Sequence, residues 1–219
     1  MSTPTLRFDD ERGYADFATF VARARALDAD GAMRLQAVGA TLAAHVQVLP
    51  GRGLLAEGGV TALRACGLGD PLDLDVVVPL AALTDRLARH PTGIELPVPP
   101  TVVSVAWASL AAPRTGWEPV GEVGDDDLRA AAVAGIEEVA LGSRTPDGGA
   151  AGGAPALTAL RYAVWSRLTP TTPPVPAGAA FAAHVLGFLT APGAGGTARV
   201  LQQGRWVRLA ASYGHVLVR

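Results

Sequence analysis

The chain has 219 residues, 49% hydrophobic and 17% charged, with a formal net charge of -2. A chain this long buries about 70% of its unfolded surface on folding, and so apolar and weakly charged a composition excludes intrinsic disorder. All 18 basic residues are arginine, lysine and asparagine are absent, and Cys66 is the single cysteine. These absences exclude a lysine phosphate loop, a Schiff-base lysine, N-glycosylation, an internal disulfide and a cysteine-based zinc site.

In chain order, Met1 to Arg12 carries Asp9, Asp10 and Glu11 and lacks a signal-peptide apolar stretch. Tyr14, Phe17, Phe20, Val21, Ala24 and Leu27 recur at helical spacing and predict a helix that ends at Asp30-Gly31. Met33 to Val38 and Thr41 to Leu49 read as strands turned at Gly39-Ala40. Val60 to Cys66 and Leu72 to Val78 read as two more, and Pro79 opens a short helix, Leu80 to Arg89. Six prolines then punctuate Pro91 to Pro119, and Thr101 to Leu110 between them fits a buried strand or a short apolar helix.

A helix is predicted from Asp125 to Leu141, with Gly142 at its C-cap. The low-complexity stretch Gly148 to Ala154 predicts a junction between an acidic α+β body, 1–147, and a basic subdomain, 155–219; the alternative is one domain with 148–154 as a surface loop. Pro155 opens a helix to Leu168, Thr169 to Pro176 is an extended linker, and Ala177 to Thr190 forms a further helix presenting Phe181, His184, Val185 and Phe188. Strands Ala198 to Gln203, Arg205 to Ala211 and His215 to Val218 close the chain. The apolar run Ala177 to Ala191 falls short of the about 20 residues a membrane-spanning helix needs. The expectation is an α+β fold: an N-terminal helix with mostly antiparallel strands, then helices and a three-stranded β-meander, in a soluble cytoplasmic protein.

Motifs of known chemistry have structural readings close at hand. Gly51-Arg52-Gly53-Leu54-Leu55-Ala56 matches the G-x-G-x-x-A spacing of dinucleotide sites, but Gly58-Gly59 forbid the helix that must follow, so a glycine turn is expected. Asp73 and Asp75 point to one face of a strand. The pair resembles the acidic strand of nucleotidyltransferases, without the Gly-Ser loop that family carries upstream, and reads as a solvated face. Asp125, Asp126 and Asp127 suit a helix N-terminus. No metal or cofactor is expected. The histidines do not converge in sequence; a catalytic site would have to be assembled from His45, His184 or His215 with a carboxylate such as Asp75. Cys66 reads as buried and inert.

Charge divides unevenly along the chain. Residues 1–147 hold all 20 acids and 12 arginines, net -8, while residues 148–219 hold Arg161, Arg167, Arg199, Arg205, Arg208 and Arg219 and no acid, net +6. The expectation is that the two stretches dock on each other, in a non-enzymatic protein that works through protein contacts and self-association. The alternative is nucleic-acid or polyanion binding through Arg199, Arg205, Trp206, Arg208, Tyr213 and His215. Helix, helix and strand hairpin also resemble the tail of a winged helix-turn-helix, although eight residues separate the helices where that motif has a 3–4-residue turn.

Overall fold

The computed structural model describes residues 4–53, 55–143 and 153–219. The chain forms two compact units: Met1–Val48 with Thr61–Ala111, and Leu49–Val60 with Ala112–Arg219. Residues 148–152 of the predicted junction lie outside the described residues.

The first unit contains β1 (Thr5–Arg7), α1 (Glu11–Leu27), most of β2 (Ala32–Leu49) and β3 (Val60–Pro79), α2 (Leu80–Arg89) and β4 (Glu95–Pro97). Asp10 caps α1 by accepting from the Gly13 N–H at 2.6 Å. The helix buries Tyr14, Phe17, Phe20, Val21 and Ala24 of the stripe its periodicity predicts, and leaves the last member, Leu27, 40% exposed. Phe8 meets Tyr14 edge-on at 5.5 Å and lies 5.3 Å from Phe17, so an aromatic cluster anchors this core. Leu80 and Leu83 of α2 are buried as well, and β1 pairs antiparallel with β4.

Burial in β2 alternates twice. Met33, Leu35 and Ala37 are inward, residues 38–41 are exposed, then Leu42, Ala44 and Val46 are inward again. The inward positions switch from odd to even numbers across 38–41, which one straight strand cannot do, and Gly39 there takes the φ of 58° that a tight turn requires.

The second unit contains β5 (Glu118–Gly124), α3 (Asp125–Gly142), α4 (Gly153–Trp165), α5 (Ala177–Val185), β6 (Thr197–Gln203), β7 (Trp206–Ala211) and β8 (Gly214–Val218). Its strands run β5-β6-β7-β8, each antiparallel to the next, so the expected meander gains a fourth strand. Helix α3 approaches closely at Gly135, where a Cβ would stand 2.4 Å from the Trp165 ring, and Trp165 stacks on Phe181 at 4.4 Å. Residues 49–60 complete this unit. The Gly58 N–H donates to the Arg219 carbonyl, the Arg219 N–H donates to Gly59, and the Arg52 guanidinium lies 3.4 Å above the Tyr162 ring.

Several local expectations change: Val60–Pro79 is one strand where two were expected, and Ser143 rather than Gly142 is the C-cap of α3. Thr101 to Leu110 is neither a buried strand nor an α-helix. Residues 101–104 are exposed, and Ala106–Ser109 makes one 3-10 turn. Prolines at 97, 99, 100 and 113 deny the stretch a ladder on either side. Helix α5 stops at Val185, since Gly187 takes φ 69° and the chain turns to bury Phe188. At α3 the N-cap is Gly124 and no side chain caps the helix. Asp125 is instead buried, its Oδ2 accepting from the Thr190 N–H at 2.7 Å and the Thr190 hydroxyl at 2.8 Å.

Grouping the residues by unit dissolves the lengthwise charge imbalance. The first unit has eleven acids and eight arginines, net -3, and the second has nine acids and ten arginines, net +1. The acids at 118–138 that weighted the first stretch fold with the late arginines. Among the described residues no helix is long and apolar enough to cross a membrane.

Candidate functional site

Strand alternation sorts the side chains of β6, β7 and β8 onto two faces. One, with Ala198, Val200, Leu209 and Val216, is buried. The other carries Arg199, Leu201 and Gln203 on β6, Trp206, Arg208 and Ala210 on β7, and His215 and Leu217 on β8. Register places Arg199, Ala210 and His215 in one row and Leu201, Arg208 and Leu217 in the next. Arg208 is therefore diagonal to both Arg199 and His215, within reach of long side chains. Between Arg199 and His215 stands only the methyl group of Ala210.

Two indoles border these groups. The Arg208 guanidinium lies 5.9 Å from the Trp117 ring, and that of Arg219 lies 5.5 Å from Trp206. Glu122 of β5 stands opposite Arg199 and accepts from the Thr197 hydroxyl at 3.1 Å. Burial, then the Arg199 charge, lowers the Arg208 pKa. Burial, then Arg208 and Arg199, pushes His215 down to about 4. The buried atoms Gln203 Oε1, Arg208 Nε, His215 Nδ1 and Arg219 Nε have no hydrogen-bond partner among the described residues. Native folds seldom leave such atoms unpaired, and four on one small surface call for a reason.

Of the predicted binding set, Arg199, Trp206, Arg208 and His215 thus share a face. Arg205 sits in the β6–β7 turn and pairs with Glu57 at 3.2 Å. Tyr213 is exposed in the next turn, its N–H bonded to the Phe188 carbonyl. Gln203 shares the face as well, and Trp117 and Arg219 join it unpredicted; Trp117 lies between Gly116 and Glu118 without any period to flag it.

The expected docking of late arginines on acids holds for two of the six. Arg167 meets Glu138 at 2.5 Å and Arg205 meets Glu57, both pairs largely solvent-exposed and within the second unit. Arg161 and Arg199 are exposed with no ion pair among the described residues, and Arg208 and Arg219 lie over indoles.

The histidines stay apart. His45, in the first unit, has an unpartnered buried Nε2, and burial with the Arg34 charge pushes it down to about 4. Asp75 accepts from Arg34 at 2.7 and 2.6 Å and from Gln36 at 3.0 Å, which holds its carboxyl below the usual range. His184 on α5 is lowered by burial and Arg129. A groove of about 640 Å³ beside α3, lined by Ala130, Ala134, Gly135, Arg167 and Leu168, contains none of them. The glycine motif at 51–56 is a turn closed by a bridge from Arg52 to Glu57, with no helix after it. Among the described residues no three His, Cys, Asp or Glu side chains gather as a metal site. Burial pushes the Cys66 thiol up to about 11, beyond the range of a ready nucleophile.

Comparison with known proteins divides the chain near the same place as the fold. Residues 1–109 match the family described as Domain of unknown function (DUF8010), and residues 112–219 match Domain of unknown function (DUF8185). No curated protein matches. Among solved structures, a DNA polymerase sliding clamp from Pseudomonas aeruginosa, determined with a ligand, is similar at 12% identity and a TM-score of 0.51. The match covers 98% of this chain and 64% of that one, and it is a likeness of fold.

Proposed function

We propose that this protein works without catalysis, through contacts with other proteins and first with further copies of itself. The observation that carries the reading is the fold: nearly the whole chain follows a sliding clamp, a protein named for holding on rather than for a reaction. The exposed surface supports it. Val120 is 50% exposed on β5, which ends the row of four strands in its unit, and Leu141 and Leu168 elsewhere in that unit are 73% and 65% exposed. An outer strand carrying apolar side chains favours association. Among the described residues no histidine side chain is hydrogen-bonded to a carboxylate, and Asp75, the acid whose charge reaches His45, is taken up by Arg34 and Gln36.

Nucleic acid finds less support as a partner. The second unit nets only +1, and Trp117 and Trp206 already lie beneath guanidinium groups where a base would stack. Light scattering across about a hundredfold range of concentration tests self-association. A dimer or larger species is expected at the upper end; a strict monomer throughout would overturn the reading.

A further inference from the structure

The face of β6, β7 and β8 carries Arg199 and Arg208 without an ion pair among the described residues. Arg199, Arg208 and His215 surround Ala210, and none has a carboxylate within ion-pair distance among the described residues. Their nearest acid by register is Glu122, which accepts from the Thr197 hydroxyl; Arg219 adds a further cation at Trp206. Like charges at diagonal positions repel, and the buried Nε of Arg208 and Nδ1 of His215 lack partners. A fold retains such a cost where something from outside relieves it.

We infer that this surface is a docking site for an acidic protein segment, whose carboxylate is met first by the exposed Arg199, with the half-buried Arg208 and His215 beside it. Carboxylate geometry suits the forked donors of arginine, and one anion there answers two mutually repelling guanidinium groups beside the imidazole of His215. The patch is small, with cations clustered rather than strung along a groove, as recognition of a carboxylate requires and a phosphodiester backbone does not. Leu201, half-buried beside Arg208, gives such a segment an apolar contact. The inference builds on the reading of the protein as a contact module, and the two fail separately. A monomer that still captures the segment loses only self-association, and a dimer that ignores it loses only this site.

The test titrates the full chain with a synthetic hexaglutamate peptide and follows tryptophan fluorescence, since Trp117 and Trp206 border the patch. Saturable binding is expected, weakened at least about tenfold in Arg199→Gln and in Arg208→Gln and suppressed by salt. Arg199 is exposed, so its variant decides the matter if Arg208→Gln does not fold. Absence of saturable binding would sink the inference, as would equal affinity in both variants. Tighter binding of an oligothymidylate than of the peptide would hand the face to nucleic acid and overturn it. So would inorganic phosphate saturating the same signal at equal concentration, which would leave a site for a free anion.

Discussion

Both units carry arginines on their sheets, yet they hold them by different means. In the first, Asp75 grips Arg34 by two bonds, Asp16 meets Arg64 at 3.0 Å, and Asp70 meets Arg7 at 3.1 Å. In the second, Arg208 and Arg219 rest over indole rings, and Arg199 has no ion pair among the described residues. A carboxylate consumes the directional donors of a guanidinium, whereas an aromatic face uses only its charge and flatness. The first arrangement is finished within the chain; the second keeps its donors for an acceptor from elsewhere.

The contrast can be broken or sharpened at several points, taken here from the largest expected effect down. The first unit depends on its aromatic cluster, so Phe17→Ala should cost about 3–5 kcal/mol. Urea unfolding measures this, and an unshifted midpoint would remove the cluster from the account.

Acid separates the two histidines next. His45 and His215 stay neutral in the fold down to about 4, while an unfolded imidazole takes its proton near 6.5. Their contribution is intact above pH 6.5 and is lost as pH falls toward 4, by about 3 kcal/mol for His45 and less for His215, which water still reaches. Proton NMR titration of the two imidazoles checks this. With hexaglutamate present the His215 midpoint should rise and that of His45 should stay, because only one of them borders the proposed site.

Third comes the close approach of α3. Gly135→Ala would set a methyl group 2.4 Å from the Trp165 ring, and overpacking of that kind costs about 1–3 kcal/mol. A thermal melt with no loss would show that the ring shifts freely.

The smallest effects differ in sign and bear most directly on the contrast. Arg34→Gln leaves Asp75 without its fork and should destabilise by about 1 kcal/mol, a value kept low by the solvent around Asp75. Arg208→Gln removes a repelled, half-buried cation and should be neutral or stabilising by up to about 1 kcal/mol. Equal losses in the two variants, read by denaturant midpoint, would erase the distinction between the units.

Periodicity revealed much of this architecture. The inward stripe of α1, the turn at Gly39, the short α2 and the last three strands all follow from spacing alone, because each buries one face against a core. The strands that spacing misses are β1, β4 and β5. Two are three residues long, and β5 contains Pro119 and Gly121 with an irregular register between them. Edge position tolerates what an alternating pattern would forbid. The candidate face was half legible. Arg199, Trp206, Arg208 and His215 lie within one stretch of chain, but Trp117 and Arg219 reach it through tertiary folding. The lengthwise charge imbalance misled for the same reason: Glu118 to Glu138 lie far from the late arginines in sequence and share their unit in space.

The short stretch 49–60 has a consequence for how the polypeptide is made. It leaves the ribosome early, yet its hydrogen bonds at Gly58 and Gly59 and the seat of Arg52 on Tyr162 wait for residues synthesised much later. Co-translational folding must therefore hold this tongue open across the whole synthesis of 61–218, at the entropic cost of a long closing loop. A gene fragment starting at 112 would yield a body missing one of its own ribs, and supplying 49–60 as a separate peptide should restore it.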